Sequence, residues 1–420
     1  MMMNEIATTP AIDPPDAPLT LEKTQTANTQ ILPFQFTGNG SEYFKIWIVN
    51  ILLSIVTLGI YSAWATVRTK RYFYGNTIFD QASFEYHATP IQILKGRIIA
   101  LSLVVLYVVL TQLSPMLALG ALGIILVLTP WAVWSGLRFN AHMSSYRNVR
   151  FGFTGQLKRA YWIMLFLPAI PLLIGALIGG ALFGFNSLEF LAEDTALFLG
   201  SGLMTMAVLV FYIIMPYIQK LYTEYYINHS HYGQGQFNAL LETKFYYKIY
   251  LKTLLRGIAL YIVIGLLTIA LVFPLMSMLS GLESSEPSIG IIFIMTILGG
   301  LFYFFLIAVG LWFTAYLKVR LRNYSYNLTQ LDNVLRLRSS ASSTSLWGIY
   351  VLNLFLLIIT LGLAHPWNKV RLARYEAQTL AAEVAGPLDH YISQRQAEQS
   401  SLGDQIGDVF DLPVSSGLGL

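Results

Sequence analysis

The chain has 420 residues, of which 55% are apolar and only 11% are charged. Ordinary soluble domains carry about 25% charged residues, so this composition excludes a wholly water-exposed protein. There is no cysteine, which excludes disulfide frameworks and thiolate metal sites. The formal net charge of +4 is modest, and we expect no nucleic-acid partner.

Both ends of the chain are predicted to be tails. Residues 1–30 are rich in Pro, Thr, Ala and Asn and lack the basic and apolar regions of a secretory signal. We predict a disordered cytoplasmic tail here, because the segment offers little apolar surface to bury. The membrane domain is predicted over residues 31–393, and the Ser-, Gly- and Asp-rich segment 394–420 is predicted to be a second, flexible tail.

The membrane domain begins and ends with two copies of one sequence. Residues 43–72 and 346–375 align without a gap, and twelve positions are identical. Apolar composition alone does not account for a shared Asn, Thr-Leu-Gly, Trp and Arg-x-x-Arg-Tyr in register. We therefore infer a duplication, which marks a fold built from similar units.

Weaker copies of the same pattern divide the domain into five units. A unit is predicted to begin with a short strand, as in FQFTG at 34–38 and FGFTG at 151–155. Apolar and polar residues alternate in these motifs, which is typical of strands and hairpins. A membrane segment and a basic, aromatic motif follow. The predicted units cover residues 34–80, 84–147, 151–232, 237–332 and 346–380.

The three central units each contain two apolar stretches long enough to cross the hydrocarbon core, which needs about 20 residues. The links between the paired stretches contain no Lys or Arg but five acidic residues: Glu189, Glu193, Asp194, Glu283 and Glu286. The loops on the opposite side are rich in Lys and Arg. Because basic residues concentrate in cytoplasmic loops, we predict that these loops face the cytoplasm.

The first and last units each have a single apolar stretch, at 44–66 and 347–367. A single crossing would place the basic residues after Trp367 outside, against the charge rule. We therefore predict re-entrant hairpins that turn at Gly59 and Gly362 and keep both termini cytoplasmic. The alternative is eight full spans. The predicted fold class is an all-α polytopic membrane protein with six full spans in three helical hairpins, two terminal re-entrant hairpins, and short cytoplasmic β-hairpins between units.

The segment FQFTGNGSEYFKIWIVNILLSIVTLGIYSAWATVRTKRYFYGNT resembles the YjgN family of bacterial inner-membrane proteins. The resemblance rests on Phe-x-Phe-x-Gly, Glu-Tyr-Phe, Asn50, Thr-Leu-Gly-Ile-Tyr, Trp64 and Arg-Tyr, and it runs from about Phe34 to Ala382. It implies a multi-pass protein of the bacterial inner, or plasma, membrane. Because the family is biochemically uncharacterised, the resemblance implies no substrate and no catalytic residue.

The candidate site residues lie in the duplicated segments. Asn50 and Asn353 are polar positions inside apolar stretches, where they serve a function or form a helix-to-helix hydrogen bond. Further candidates are predicted at the headgroup level, where they bind lipid headgroups and anchor the interface, or only mark the topology. These residues are Arg68, Arg71, Arg371, Arg374, Trp64 and Trp367.

A metal site is not predicted. His229 and His231 would share one face of an extended segment, but no cysteine or close carboxylate completes a ligand set. No other cofactor is predicted either.

Two functions fit these patterns. The first is uncoupled passage or binding of a small or lipidic substrate, because the six spans contain no ionisable side chain other than Tyr for coupling to an ion gradient. The second is a non-catalytic scaffold that binds lipids or a membrane-protein partner through its cytoplasmic loops. The sequence contains no nucleophile–base pair, paired intramembrane carboxylates or phosphate-binding loop, so we predict that the chain is not an enzyme.

Overall fold

A computed structural model describes residues 29–187, 193–280 and 289–398 of the protein. Its strands are β1 (Thr29–Phe36), β2 (Thr77–Phe79), β3 (Ala82–Tyr86), β4 (Ser144–Tyr146), β5 (Val149–Phe153), β6 (Ser230–Tyr232), β7 (Gly235–Asn238), β8 (Gln330–Leu331), β9 (Leu335–Ser339) and β10 (Leu380–Ala385). Its helices are α1 (Gly40–Val56), α2 (Ser62–Gly75), α3 (Pro90–Leu113), α4 (Pro115–His142), α5 (Leu157–Tyr161), α6 (Leu167–Ser187), α7 (Glu193–Asn228), α8 (Thr243–Ser280), α9 (Ile289–Asn327), α10 (Ser343–Ile359), α11 (His365–Gln378) and α12 (388–398). A π-helical turn, Trp162–Phe166, joins α5 to α6.

The ten strands form one closed antiparallel barrel in chain order, with β10 returning to β1. Residues 29–33 of β1 pair with β10, and residues 34–36 pair with β2. Both described ends of the domain therefore belong to one sheet. Closure leaves no strand edge unpaired, which removes the usual template for edge-to-edge association.

Each unit contributes two neighbouring strands to the barrel and one helical hairpin between them. Unit 1 runs from β1 to β2, unit 2 from β3 to β4, unit 3 from β5 to β6, unit 4 from β7 to β8, and unit 5 from β9 to β10. The strands of a unit pair with each other, and β-hairpins join successive units. These structural units extend beyond the predicted bounds; β9, for example, lies before residue 346, where the fifth unit was predicted to begin.

Tight turns connect the units at the end of the barrel away from the helices. Asp80 and Gln81 both have positive φ, 42° and 61°, and Arg147 and Asn148 repeat this conformation at 46° and 65°. Two successive left-handed residues are typical of the type I′ turn, whose twist matches that of the flanking strands. The local turn chemistry therefore closes these β-hairpins.

The five helical hairpins form a ring on the other end of the barrel. Their main packing contacts lie between the two arms of a hairpin and between neighbouring units, and α11 returns to α1. Among the described residues, six helices are long and apolar enough to cross a membrane, and all belong to units 2, 3 and 4. The prediction of a mostly helical, polytopic membrane protein is confirmed. The helices form the wall of a ring and not a filled bundle, because at most 22% of the apolar window of each span is buried.

The hairpins of units 1 and 5 are shorter than the other three. Their arms have 17 and 14 residues, against 24 to 39 for α3, α8 and α9. The chain reverses at Thr57–Gly59 and again at Thr360–Gly362, where both glycines have φ near 90°. The residue before each glycine is a leucine that is more than 90% exposed. Both hairpins thus end in an uncovered apolar tip.

Two predictions about the fold need revision. The all-α fold class was incomplete, because the short hairpins between units join into a single barrel. Strands of two to eight residues carry too little periodicity to predict that long-range pairing. In addition, α12 occupies residues 388–398, so the segment predicted as a flexible tail from 394 begins in a helix. Most of the predicted N-terminal tail lies outside the described residues, although Thr29 and Gln30 start β1.

We predict that Gly59→Ala and Gly362→Ala each destabilise the protein by about 1–2 kcal/mol, because an L side chain is strained at positive φ. Both glycines have open space around the missing Cβ, so strain and not overlap would cause the loss. The measurement is thermal unfolding in detergent. The matched control is Gly348→Ala in α10, also open, which should stabilise by roughly 0.5–1 kcal/mol. Equal effects at all three sites would contradict the prediction.

Candidate functional site

A cavity of about 350 Å³ lies on the axis of the barrel. Residues from all five units line it, including Tyr74 of unit 1, His231 of unit 3 and Leu337 of unit 5. Because elements on opposite sides of the ring face the same space, this cavity is the lumen of the barrel. The lumen is therefore the space that all five units enclose together.

An aromatic layer surrounds this lumen. The first strands of the five units contribute Phe34, Phe84, Phe151, Phe237 and Leu337, and each packs on the core of the barrel. Phe84 stacks with Phe34 and with Phe151, at centroid distances of 6.2 and 6.3 Å. Stacking of this kind favours rigid packing around the axis. The repeated leading motif of the sequence therefore supplies the wall of the cavity.

A second cavity of about 570 Å³ lies on the membrane side of the lumen. The two cavities share three lining residues, Tyr74, Phe84 and Tyr326, so they adjoin. A volume in this range is typical of sites for small molecules. We call this space the membrane-side cavity.

Three charged residues line the membrane-side cavity, and all come from units 4 and 5. Lys318 Nζ lies 2.9 Å from Glu376 Oε1, and Arg322 Nη2 donates to the backbone oxygen of Glu376 at 2.8 Å. Lys318 also contacts the hydroxyl of Tyr350. The guanidinium of Arg322 lies 5.6 Å from the ring centre of Tyr326, within the range of a cation–π contact.

Sequence reasoning did not find this charged group. Lys318 and Arg322 lie one turn apart on α9, whereas Glu376 is on α11, and only the ring brings the two helices together. A signal was nevertheless present in the duplicated segments. If the alignment of 43–72 with 346–375 is extended by one residue, Glu376 stands opposite Phe73, so a carboxylate replaces an aromatic ring.

A tyrosine in the trailing motif fastens the leading turn of its own unit. Tyr72 Oη accepts from Asn39 N at 2.8 Å, and Tyr375 Oη accepts from Ser342 N at the same distance. In unit 3, Tyr225 Oη donates to Gln156 O at 2.9 Å, and in unit 4, Tyr324 Oη accepts from Glu242 N at 2.9 Å. These contacts explain why the tyrosine recurs, since each one satisfies backbone groups where strand turns into helix.

The residue before that tyrosine fastens the next unit. Arg71 Nη2 donates to Ala88 O at 3.2 Å, and Arg374 Nη2 donates to Gly38 O at 3.1 Å. Asn323 takes the same position in unit 4 and donates to Ala341 O at 2.9 Å. Arg71 and Arg374 therefore join neighbouring units, a role that the sequence prediction missed. Their predicted binding of lipid headgroups stays a prediction.

The predicted residues Asn50, Asn353, Arg68 and Arg371 come together in pairs inside the short hairpins. Arg371 Nη1 lies 2.5 Å from Asn353 Oδ1, and Arg68 Nη1 lies 3.5 Å from Asn50 Oδ1. Each contact bridges the two arms of one hairpin. Asn50 is only 4% exposed. The geometry favours the hydrogen-bonding interpretation of the two asparagines over an independent site.

The predicted interfacial tryptophans have protein neighbours. Trp367 packs on Phe44 of unit 1, with ring centroids 5.1 Å apart, so it contributes to the seam between units 5 and 1. Trp64 stacks on Tyr61 within its own hairpin, at 6.1 Å. Interfacial anchoring by either ring stays a prediction.

The helix α12 closes the barrel end that carries the tight turns. Tyr391 and Ile392 are 7% and 3% exposed and belong to the core of the barrel. Arg147 Nη1 lies 2.6 Å from Asp389, and Asp332 lies 2.8 Å from Arg395. Burial raises the pKa of the Tyr391 phenol to about 12, so the phenol stays protonated and donates to Asp332 at 2.7 Å. α12 therefore acts as a plug held by packing and ion pairs.

The two histidines considered from the sequence do not meet a ligand set. In the part of the chain that the structure describes, no group of three His, Cys, Asp or Glu residues is arranged to hold a metal ion. The imidazole of His231 packs against the backbone of Gly152, where a Cβ would overlap the ring. Burial lowers the pKa of His231, so the ring is neutral at pH 7.

Comparison with known sequences identifies relatives over most of the chain. A family model described as a bacterial protein of unknown function, DUF898, matches residues 31–409. The inner membrane protein YjgN of Salmonella typhimurium strain LT2 is 30% identical over 376 residues, which cover 84% of this chain and 88% of the relative. The proteins of the same name from Escherichia coli O157:H7 and K12 are 28% identical, covering 88% of this chain and 92% of each relative. No solved structure matches the chain. The predicted family resemblance is confirmed, and with it a protein of the inner membrane.

We predict that Arg371 and Asn353 are energetically coupled. Arg371→Ala leaves the partly buried amide of Asn353 without its charged donor, which should cost about 1–3 kcal/mol. Asn353→Ala should cost a similar amount, while the double variant should cost less than the sum by roughly 0.5–3 kcal/mol. Unfolding in detergent measures this double-mutant cycle. Strict additivity would show that the arginine acts elsewhere, for instance on lipid headgroups.

We also predict that Ile392→Asp releases α12 from the barrel, because it places a charge in the apolar core. The expected result is rapid proteolysis after residue 386, measured on purified protein by mass spectrometry. The control is Ser393→Asp, which adds the same charge at an exposed neighbour in the helix. Equal protection in both variants would mean that α12 is not held by its apolar face.

Proposed function

The chain belongs to the DUF898 family of bacterial proteins, and we propose that it binds a lipidic substrate inside the helical ring and exchanges it with the bilayer. The exchange is uncoupled, because the apolar stretches of the six spans contain no ionisable side chain apart from Tyr that would carry a proton or sodium relay. The observation that carries the proposal is the uneven height of the ring. Its physical consequence is an opening on one side.

The opening follows from the adjacency of the two short hairpins. Units 5 and 1 are neighbours through the β1–β10 pairing and the packing of α11 on α1. At 1.5 Å per residue their 17-residue arms reach about 25 Å, whereas the 39 residues of α9 reach nearly 60 Å. The ring wall is therefore low between α3 and α9, and lipid can enter sideways above the exposed tips at Leu58 and Leu361.

The re-entrant interpretation of units 1 and 5 belongs to this proposal. Arms of this length that end in apolar leucines suit a segment that dips into the hydrocarbon and returns. The chain reverses at Gly59 and at Gly362. This reversal argues against the alternative interpretation of eight full spans. The pairing of β1 with β10 brings both described chain ends to the barrel, next to the basic residues, which supports cytoplasmic termini.

The alternative function is a non-catalytic scaffold for lipids or a membrane-protein partner. A scaffold of this kind would bind its partner through exposed cytoplasmic loops. The described loops form a barrel without an unpaired strand edge, so a partner cannot bind by strand addition. The membrane-side cavity, which adjoins the lumen, favours a bound substrate over a purely structural role. That the chain is not an enzyme stays a prediction.

The absence of natural cysteine permits a clean test with single-cysteine variants. We predict that a fluorophore attached at Ala373→Cys, in the membrane-side cavity, is quenched by phospholipids that carry nitroxide on their acyl chains. The control is Gln35→Cys, an exposed position on β1 that does not line either cavity. Both proteins would be reconstituted in nanodiscs. Quenching no stronger at residue 373 than at residue 35 would contradict lipid occupancy of the cavity.

A further inference from the structure

We infer that the membrane-side cavity selects an anionic amphiphile, with its phosphate beside Lys318 and Arg322 and its apolar part within the ring. The inference rests on the proposed function and adds the charge class of the substrate. It follows from the balance of charges, from their position along α9, and from their exposure to the cavity.

The charges that line the cavity do not cancel. The described lining residues include two cations, Lys318 and Arg322, and one carboxylate, that of Glu376, which pairs with Lys318, so one positive charge remains in excess. The bond from Arg322 to the backbone of Glu376 uses one of the five guanidinium N–H donors. A guanidinium binds a phosphate through two parallel donors. The excess positive charge favours a headgroup with a net negative charge over a zwitterionic one, which adds a cation of its own beside the phosphate.

The position of the cations matches the headgroup of a lipid whose tail fills the ring. α9 carries its apolar, membrane-crossing part first, then Lys318, Arg322 and Tyr326 at intervals of one turn, and then β8. The cations therefore lie between the apolar part of the ring and the lumen of the barrel. At the same level, Tyr74 and Phe84 line both this cavity and the lumen of the barrel.

The ion pair is open to a ligand. The side chains of Lys318 and Glu376 are each 42% exposed although they border a cavity and are not on a loop. A phosphate that approaches Lys318 would compete with Glu376 for the ammonium group. The carboxylate thus tunes the site, and removing its charge should strengthen the binding of an anion.

The test uses purified full-length protein, titrated with phosphatidylglycerol and with phosphatidylcholine and followed by native mass spectrometry. We expect preference for the anionic lipid in the wild type. Lys318→Gln should lower the affinity for phosphatidylglycerol about fivefold, the factor that corresponds to about 1 kcal/mol for one juxtamembrane cation. Glu376→Gln should raise it by a similar factor, an effect that loss of structure alone would not produce.

The matched control is Lys95→Gln. Lys95 is an exposed cation near the start of α3 that lies outside both cavities, so the affinity should not change. If Lys318→Gln fails to fold, two measurements still test the inference. These are the affinity of Glu376→Gln for phosphatidylglycerol and the preference of the wild-type protein between the two lipids. Equal affinity for both lipids, unchanged by Glu376→Gln, would overturn the inference.

Inorganic phosphate distinguishes the two sources of the ligand group. If millimolar phosphate displaces phosphatidylglycerol, the cations recognise the phosphate itself, and a free phosphate compound is a ligand. If it does not, the phosphate must be presented on a lipid. Binding of both lipids without charge preference would leave the proposed function intact, whereas binding of neither lipid would contradict the proposed function as well.

Discussion

The pairing of β1 with β10 is the constraint on which the rest of the structure depends. Ten strands of two to eight residues have little stability alone, but closure pairs every strand on both sides. Closure also fixes five units around one axis and places the last unit beside the first. The duplicated segments, some three hundred residues apart in sequence, thereby become neighbours, and their short hairpins form a single low side of the ring. The proposed lateral opening thus depends on where the duplicated copies lie in the chain.

Polar contacts at the base of the helices maintain this arrangement. Between helices in lipid there is little hydrophobic driving force, because lipid tails are as apolar as the side chains they would replace. The barely buried spans agree with this reasoning. The described seams instead depend on bonds such as Arg71 to Ala88 and Arg374 to Gly38, which are made where strands turn into helices. The ring is accordingly rigid at its base and open in its membrane part.

Sequence patterns predicted the six spans, because these depend on local composition. The chain also reverses at Gly59 and Gly362, the positions marked by the exact internal match. Sequence patterns did not predict the barrel, since pairing between strands far apart in sequence leaves no periodic signal in segments as short as β8. They also did not reveal that the guanidinium groups of Arg68 and Arg371 each contact an asparagine of the opposite arm, and the binding of lipid headgroups by these arginines stays a prediction. The pattern of charges along one helix does not show which side chains of a neighbouring helix they contact. The group formed by Lys318, Arg322 and Glu376 was missed for the same reason, because it exists only across the contact of two units.

The chemistry of a repeat protein is found where the repeat is broken. Residues that keep the same role in several units, such as Tyr72 and Tyr375, hold backbone turns and serve the architecture. Glu376 stands where the first copy has Phe73, and the substitution places a carboxylate in a cavity lined mainly by aromatic and apolar side chains. A charge in such a place costs free energy of desolvation unless it is paired. The architecture does not require it, because the equivalent seam of unit 1 is formed without one. The inferred selectivity for an anionic ligand therefore rests on this departure from the repeat, which lies in the membrane-side cavity beside two cations.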